Sequence, residues 1–199
     1  MANRHLVHFA DHTIQVTVAD KAAAFDEWLN EVLSLYPGER LIVGLDCEWK
    51  PNLDASKINR TATLQLCVDT KCLILQLFYM DRIPQILEAF LNDSNVTFVG
   101  VEVDDDVMKL RSEYGLGYCN TCNTVDIQQL AMSRWPLLYY RKPGLKALAN
   151  RVANLPMEKP LHVCRSNWEA RVLDEKQIEY ACIDAYACYR IGRKLLIGY

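Results

Sequence analysis

No run in the chain approaches the roughly 20 apolar residues that a membrane-crossing helix needs, and Met1 to His5 carry no apolar signal core. These absences lead us to expect a soluble, intracellular protein, cytoplasmic in the first instance and nuclear as the alternative, with no membrane partner. Internal repeats, low-complexity tracts and Pro/Gly-rich linkers are also lacking. One domain over residues 1–199 is therefore expected, long enough to bury a substantial core. A positive excess is missing too: 22 Lys and Arg against 25 Asp and Glu give a net charge of −3. That argues against a protein relying on broad basic patches to hold long duplexes. It does not exclude a short nucleic-acid end held at a metal site, because four carboxylates gathered on cations would more than account for the deficit.

Among the eight cysteines, Cys47, Cys67, Cys72, Cys182 and Cys188 lie in apolar segments, where a reduced thiol behaves as a small hydrophobe rather than half of a disulfide. Only Cys119 and Cys122 have ligand spacing. A structural zinc needs four donors, and His162 with Cys164 is a poor second half. A zinc-binding adaptor is thus a distant alternative.

What the sequence does contain is an apolar run, Leu41 to Leu45, that ends in Asp46 and Glu48. Residues i and i+2 of a strand face the same side, so both acids point into one place from a strand with oily flanks. Two such charges repel one another and resist desolvation unless a cation neutralises them. A hard divalent metal with oxygen ligands is the natural choice. The plainer reading of Asp-x-Glu is an edge strand facing water, and more carboxylates from elsewhere are needed to overturn it.

Alternation predicts strands at 6–9 and 13–18, then a helix capped by Asp20 and running to about Tyr36, stopped by Pro37 and Gly38. After the Asp46 strand come a polar loop over 52–60, a hairpin-like pair at 62–68 and 72–78, a helix over 84–91 and a strand over 96–101. A short strand at 124–127 and helices near 106–114, 127–133, 144–155 and 174–196 fill the remainder. The class is α/β, a mixed central sheet with helices on both faces.

Further acids arrive where they are wanted. The strand ending at Val101 runs into Glu102, Asp104, Asp105 and Asp106, which open a helix whose N-terminus favours negative charge. Asp106 is best placed to project back toward the sheet; Asp104 and Asp105 read more simply as caps or solvated charges. In the last helix, Asp174 and Gln177 form a capping-box-like start, and Tyr180 and Asp184, four apart, share a face with Gln177 and Cys188. An aspartate in the middle of a mostly apolar helix needs a partner. A metal shared with Asp46 and Glu48 would supply one.

Asp46-x-Glu48, Asp106 after a strand, and Tyr180-x-x-x-Asp184 in a late helix resemble the three motifs of the DEDD superfamily of 3′–5′ exonucleases. The subtype is the one with tyrosine, since Glu179 stands where the histidine variant would have His. Local matches at 46–51, 99–101, 143–146 (Pro-Gly-Leu-Lys) and 166–168 (Ser-Asn-Trp) resemble the Werner-syndrome-type branch, over roughly residues 40–195. Within that branch the chain looks like the small plant RISC-interacting clearing exoribonucleases.

The resemblance implies the ribonuclease H-like DEDD exonuclease fold and a two-metal-ion hydrolysis of single-stranded nucleic acid to nucleoside 5′-monophosphates. RNA is favoured over DNA, and the substrates would include cleavage fragments of small-RNA pathways. It implies two Mg2+ ions, with Mn2+ a competent substitute. Asp46 would bridge both, Glu48 and Asp184 would complete one site, Asp106 would support the other through water, and Tyr180 would orient or help deprotonate the attacking water. It also implies a homohexamer and Argonaute or other RISC components as partners, with the aromatic segment at 135–140 as a candidate interface. For gripping the terminal nucleotide we consider Trp49, read first as core and second as a stacking group, and Leu45. Arg141, Lys142, Lys146, Arg165 and Asn167 are candidate backbone contacts, each also readable as a solvated surface residue. Two rival functions stay open: a catalytically silent nuclease-fold binding or scaffold protein, and a phosphatase using the same carboxylates on small molecules.

Overall fold

The computed structural model describes residues 2–52, 59–116, 123–139 and 141–198. Seven strands form one mixed sheet: β1 (Asn3–Phe9), β2 (His12–Ala19), β3 (Leu41–Trp49), β4 (Thr61–Val68), β5 (Lys71–Gln76), β6 (Val96–Gly100) and β7 (Thr124–Asp126), in the order β1-β2-β5-β4-β3-β6-β7. β4 runs antiparallel to both its neighbours β3 and β5, whereas β6 and β7 continue parallel to β3. β3 is therefore an interior strand. Its apolar start, Leu41 to Leu45, fills the protein interior as a doubly covered strand must.

The two faces can be told apart by register. Val43 pairs with Phe98, and Phe98 packs edge-on against Phe90, which meets Phe25 and Trp28. That aromatic cluster places α1 (Ala22–Leu35) and α2 (Gln85–Leu91) over one face. Gly44 and Val99, also paired, face the other side and meet α7 (Glu175–Ile197): a Cβ on Gly44 would collide with the Ala185 carbonyl oxygen, and one on Gly192 would lie 2.5 Å from a Val99 methyl. Absent side chains at Gly44 and Gly192 thus let the helix lie directly on the sheet. Its other side is covered by α4 (Ile127–Arg134), α5 (Leu145–Ala153) and the short α6 (Leu161–Cys164), so α7 is buried nearly all round, as its apolar content requires.

Several boundaries differ from the sequence reading, each for a local reason. Asp20 does not cap α1: its carboxylate is buried and paired with Arg171 at 2.5 Å, and the Ala22 amide at the helix start donates instead to Asp81. β5 ends at Gln76, because Leu77–Tyr79 tighten into a 3-10 turn whose Tyr79 hydroxyl donates to the Glu169 carbonyl. α6 has only four residues and carries no periodicity to find. The capping box of Asp174 and Gln177 forms as read.

Candidate active site

β3 delivers Asp46 and Glu48 to the face covered by α7, because they lie two and four residues beyond Gly44 on the same side of the strand. α7 brings Asp184, one residue before the Ala185 carbonyl that rests on Gly44. One carboxylate oxygen from each of Asp46, Glu48 and Asp184 lies within 4.8 Å of the others. α3 (Val103–Tyr114) begins immediately beyond β6 and carries Asp106, which is buried and close enough for its charge to act on Asp46, though it stands outside the tight trio. Tyr180, one turn before Asp184, is buried against Trp168.

This is an unfavourable place for four negative charges. Burial, then the charges of Asp184 and Asp106, hold the Asp46 carboxyl far above its ordinary range. Burial and Asp46 push Glu48 up to about 10. Asp106 rises to about 7 through burial and Asp105, partly opposed by Lys109. Asp184 rises to about 6 by burial, against the pull of Lys159. Tyr180 is raised by burial and by Asp184, so its hydroxyl stays protonated.

The donor set fits a hard divalent cation. Asp46 Oδ2 and Asp184 Oδ1 are buried without any hydrogen-bond partner. An orphaned buried carboxylate oxygen costs several kcal/mol unless a cation meets it. Three converging carboxylates, joined by no thiol or imidazole among the described residues, suit Mg2+ or Mn2+ rather than a softer metal. Cys119 and Cys122 lie outside the described residues.

The sequence reading missed Lys159. Its ammonium lies 2.5 Å from Asp184 Oδ2 and 5.2 Å from the centre of the Tyr180 ring. Burial works against that charge, but Asp184 and Asp46 more than offset it and the Lys159 pKa is raised. A single lysine before Pro160 in a loop carries no periodic or motif signal, so only the fold could reveal it. Also missed were Thr63 and Gln65, buried polar residues of β4 that pair directly with Glu48 and Asp46. Their alternation within an otherwise apolar strand was the available clue.

The expected nucleotide contacts scatter more widely. Leu45 requires correction: it is fully buried on the face opposite Asp46, where strand alternation puts it, and offers no surface to a nucleotide. Trp49 follows a register shift in β3, is half-buried, and lies under the Lys109 ammonium at 5.0 Å. Arg141, Lys142 and Lys146 are exposed; Lys142 pairs with Glu102 at 2.8 Å and Lys146 with Glu158 at 2.5 Å. Lys146, Asn150, Arg151 and Glu158 line a groove of about 540 Å3 beside the loop that carries Lys159. Arg165 and Asn167 are exposed at the end of α6, and the Asn167 carbonyl accepts from the Gln177 side chain.

An α/β fold with an interior acidic strand crossed by an acidic, tyrosine-bearing helix defines a class, the ribonuclease H-like exonuclease fold. Escherichia coli RNase D shares it, with a TM-score of 0.71 at 20% identity over 91% of this chain and 44% of that one. The family follows from sequence: the family model described as 3′-5′ exonuclease matches residues 16–196. The chain belongs to that family, the 3′–5′ exonucleases.

An Arabidopsis thaliana 3′-5′ exonuclease is 32% identical over 155 residues, which cover 77% of this chain and 52% of that protein. The human exonuclease 3′-5′ domain-containing protein 2 is 34% identical over 163 residues, 79% of this chain and 25% of its own length. An EXD2 exonuclease domain soaked in Mn gives a TM-score of 0.52 at 30% identity, covering 92% of this chain and 88% of that one. The chain thus spans about half or less of the curated relatives it matches.

Proposed function

We propose that this chain is a metal-dependent 3′–5′ exonuclease that removes nucleoside 5′-monophosphates from single-stranded ends, RNA in preference to DNA. The observation that carries the reading is the convergence of Asp46, Glu48 and Asp184 with orphaned buried oxygens, beside Asp106 and Tyr180. Asp46, Glu48 and Asp184 would hold one divalent cation, and Asp106 with Asp46 would support a second. Bound cations supply a nucleophile at neutral pH and neutralise charge developing on the phosphate and the leaving oxygen.

The protein's own groups do the positioning. Tyr180, its pKa raised by burial and by Asp184, would orient the attacking water or help deprotonate it. The attacking water gives up a proton to solvent as its oxygen bonds to phosphorus, the bond from phosphorus to the 3′-oxygen breaks, and that oxygen takes up a proton from solvent, so the shortened strand leaves with a 3′-hydroxyl. An unstacked terminus can reach this recess where a duplex end cannot. The groove lined by Lys146 and Arg151 offers positive charge to the backbone behind the terminal nucleotide, once the strand displaces Glu158 from Lys146.

The preference for RNA, a role in clearing small-RNA-pathway fragments, partnership with Argonaute or RISC components, and assembly as a hexamer rest on the resemblance to the plant exoribonucleases. Degradation of 3′- and 5′-labelled single-stranded RNA and DNA in Mg2+ tests the proposal. Stepwise loss from the 3′ end that Asp46→Ala abolishes is expected, with faster turnover of RNA. Equal silence of the native and Asp46→Ala proteins on every strand would favour a non-catalytic binding protein.

A further inference from the structure

Lys159 stands where a cation belongs. Asp184 is 1% exposed by residue, yet one of its oxygens is met by an ammonium at 2.5 Å, from a side chain that is itself 32% exposed and therefore has a way out. The same ammonium is near enough for its charge to act on Asp46 and lies 5.2 Å from the centre of the Tyr180 ring. The opposite oxygen of Asp184 and one oxygen of Asp46 have no partner. Lys159 supplies part of the positive charge this cluster demands, and leaves the rest unmet.

We infer that Lys159 is a resident counter-ion that competes with the divalent metal: it holds the carboxylates together while the site is empty, and it must leave Asp184 when metal loads. This rests on the proposed reading of the cluster as a metal site. A divalent ion bound within about 2.0–2.6 Å of these oxygens would place two or more positive charges a few ångströms from the ammonium. In a recess this buried, such repulsion is poorly screened. Its loop position and partial exposure let Lys159 swing outward, whereas Asp184 is fixed in the middle of α7. The site then stays ordered and inactive at low metal, and the threshold for loading is set by a residue that need not bind the metal at all.

Calorimetric titration with Ca2+, a hard cation tested apart from turnover, separates the possibilities. Lys159→Gln is expected to melt at lower temperature than the native protein in EDTA, yet to bind Ca2+ about tenfold to a hundredfold more tightly, the worth of one charge-assisted hydrogen bond. Unchanged or weakened Ca2+ binding would overturn the inference, since Lys159 would then remain on Asp184 beside the metal. A native protein that binds no Ca2+ would instead overturn the metal-site reading, and this inference with it.

A second measurement needs no variant. Acetic anhydride labelling of the native protein, read by peptide mass spectrometry, is expected to modify Lys159 more in saturating Ca2+ than in EDTA. Lys176, exposed on the first turn of α7, serves as the internal reference. Equal labelling of Lys159 in both conditions would refute its displacement.

Discussion

At the scale of the residue, the carboxyl groups set how the protein responds to pH. Asp106 and Asp184 stand near 7 and 6 and Glu48 near 10, and Asp46 is held far above its ordinary range, while unfolding returns all four to about 4. Between about pH 4 and pH 10 these groups hold more protons in the folded chain than in the unfolded one, so stability present at the acid end is lost as pH rises through the folded values. In EDTA the thermal midpoint is expected to fall by several degrees from about pH 5.5 to about pH 8, opposite to ordinary acid denaturation. Asp46→Asn, one charge fewer, is expected to raise the midpoint at the upper pH and flatten the slope while abolishing turnover. Scanning calorimetry of both proteins decides it; a native midpoint that climbs with pH in EDTA would contradict this account.

Asp46 and Glu48 were legible in the sequence because the strand period places them on one face, and Asp184 because an aspartate inside a mostly apolar helix needs a partner. Lys159 was not, because its partner lies across a loop and nothing in 154–160 has a period. Asp20 was misread as a cap for a related reason: Arg171, 151 residues away in the chain, takes its carboxylate. A long-range ion pair outcompeted the local hydrogen bond that the sequence offered.

At the scale of the element, function depends on how closely α7 approaches β3. Gly44→Ala would drive a methyl group into the Ala185 carbonyl and to 2.7 Å from the Tyr189 amide, both backbone atoms that cannot turn aside. The helix must back away from the strand, and Asp184 retreats with it. We expect a loss of about 1–3 kcal/mol or more in urea unfolding, together with a fall in Ca2+ affinity that a stability change by itself would not produce. Wild-type affinity in a destabilised Gly44→Ala protein would show that the cluster tolerates the displacement. A strand glycine signals a close approach in general terms. That a helix, and this helix, makes the approach came only from the packed structure.

At the scale of the whole molecule, Trp135, Leu137 and Leu138 form an exposed apolar stretch after α4, with Leu137 98% exposed; Tyr140 lies outside the described residues. If subunits meet there, as the proposed hexamer suggests, Leu137→Asp is expected to shift the mass measured by light scattering toward the monomer and to reduce activity at low protein concentration. A native protein that is monomeric and fully active would remove this proposal. No helix among the described residues is long and apolar enough to cross a membrane.

The sequence by itself determined the class of the fold and set Asp46 with Glu48, and Tyr180 with Asp184, on shared faces, because alternation, helical spacing and capping act over a few residues and leave their period in the chain; Asp106 and the roles of all five came from the family resemblance. The tertiary structure decided what depends on contact between distant segments. It seated α7 on Gly44, paired Thr63 and Gln65 with the acids of the neighbouring strand, and placed Lys159 on Asp184. Those outcomes follow from which surfaces close upon one another, and no local period records them.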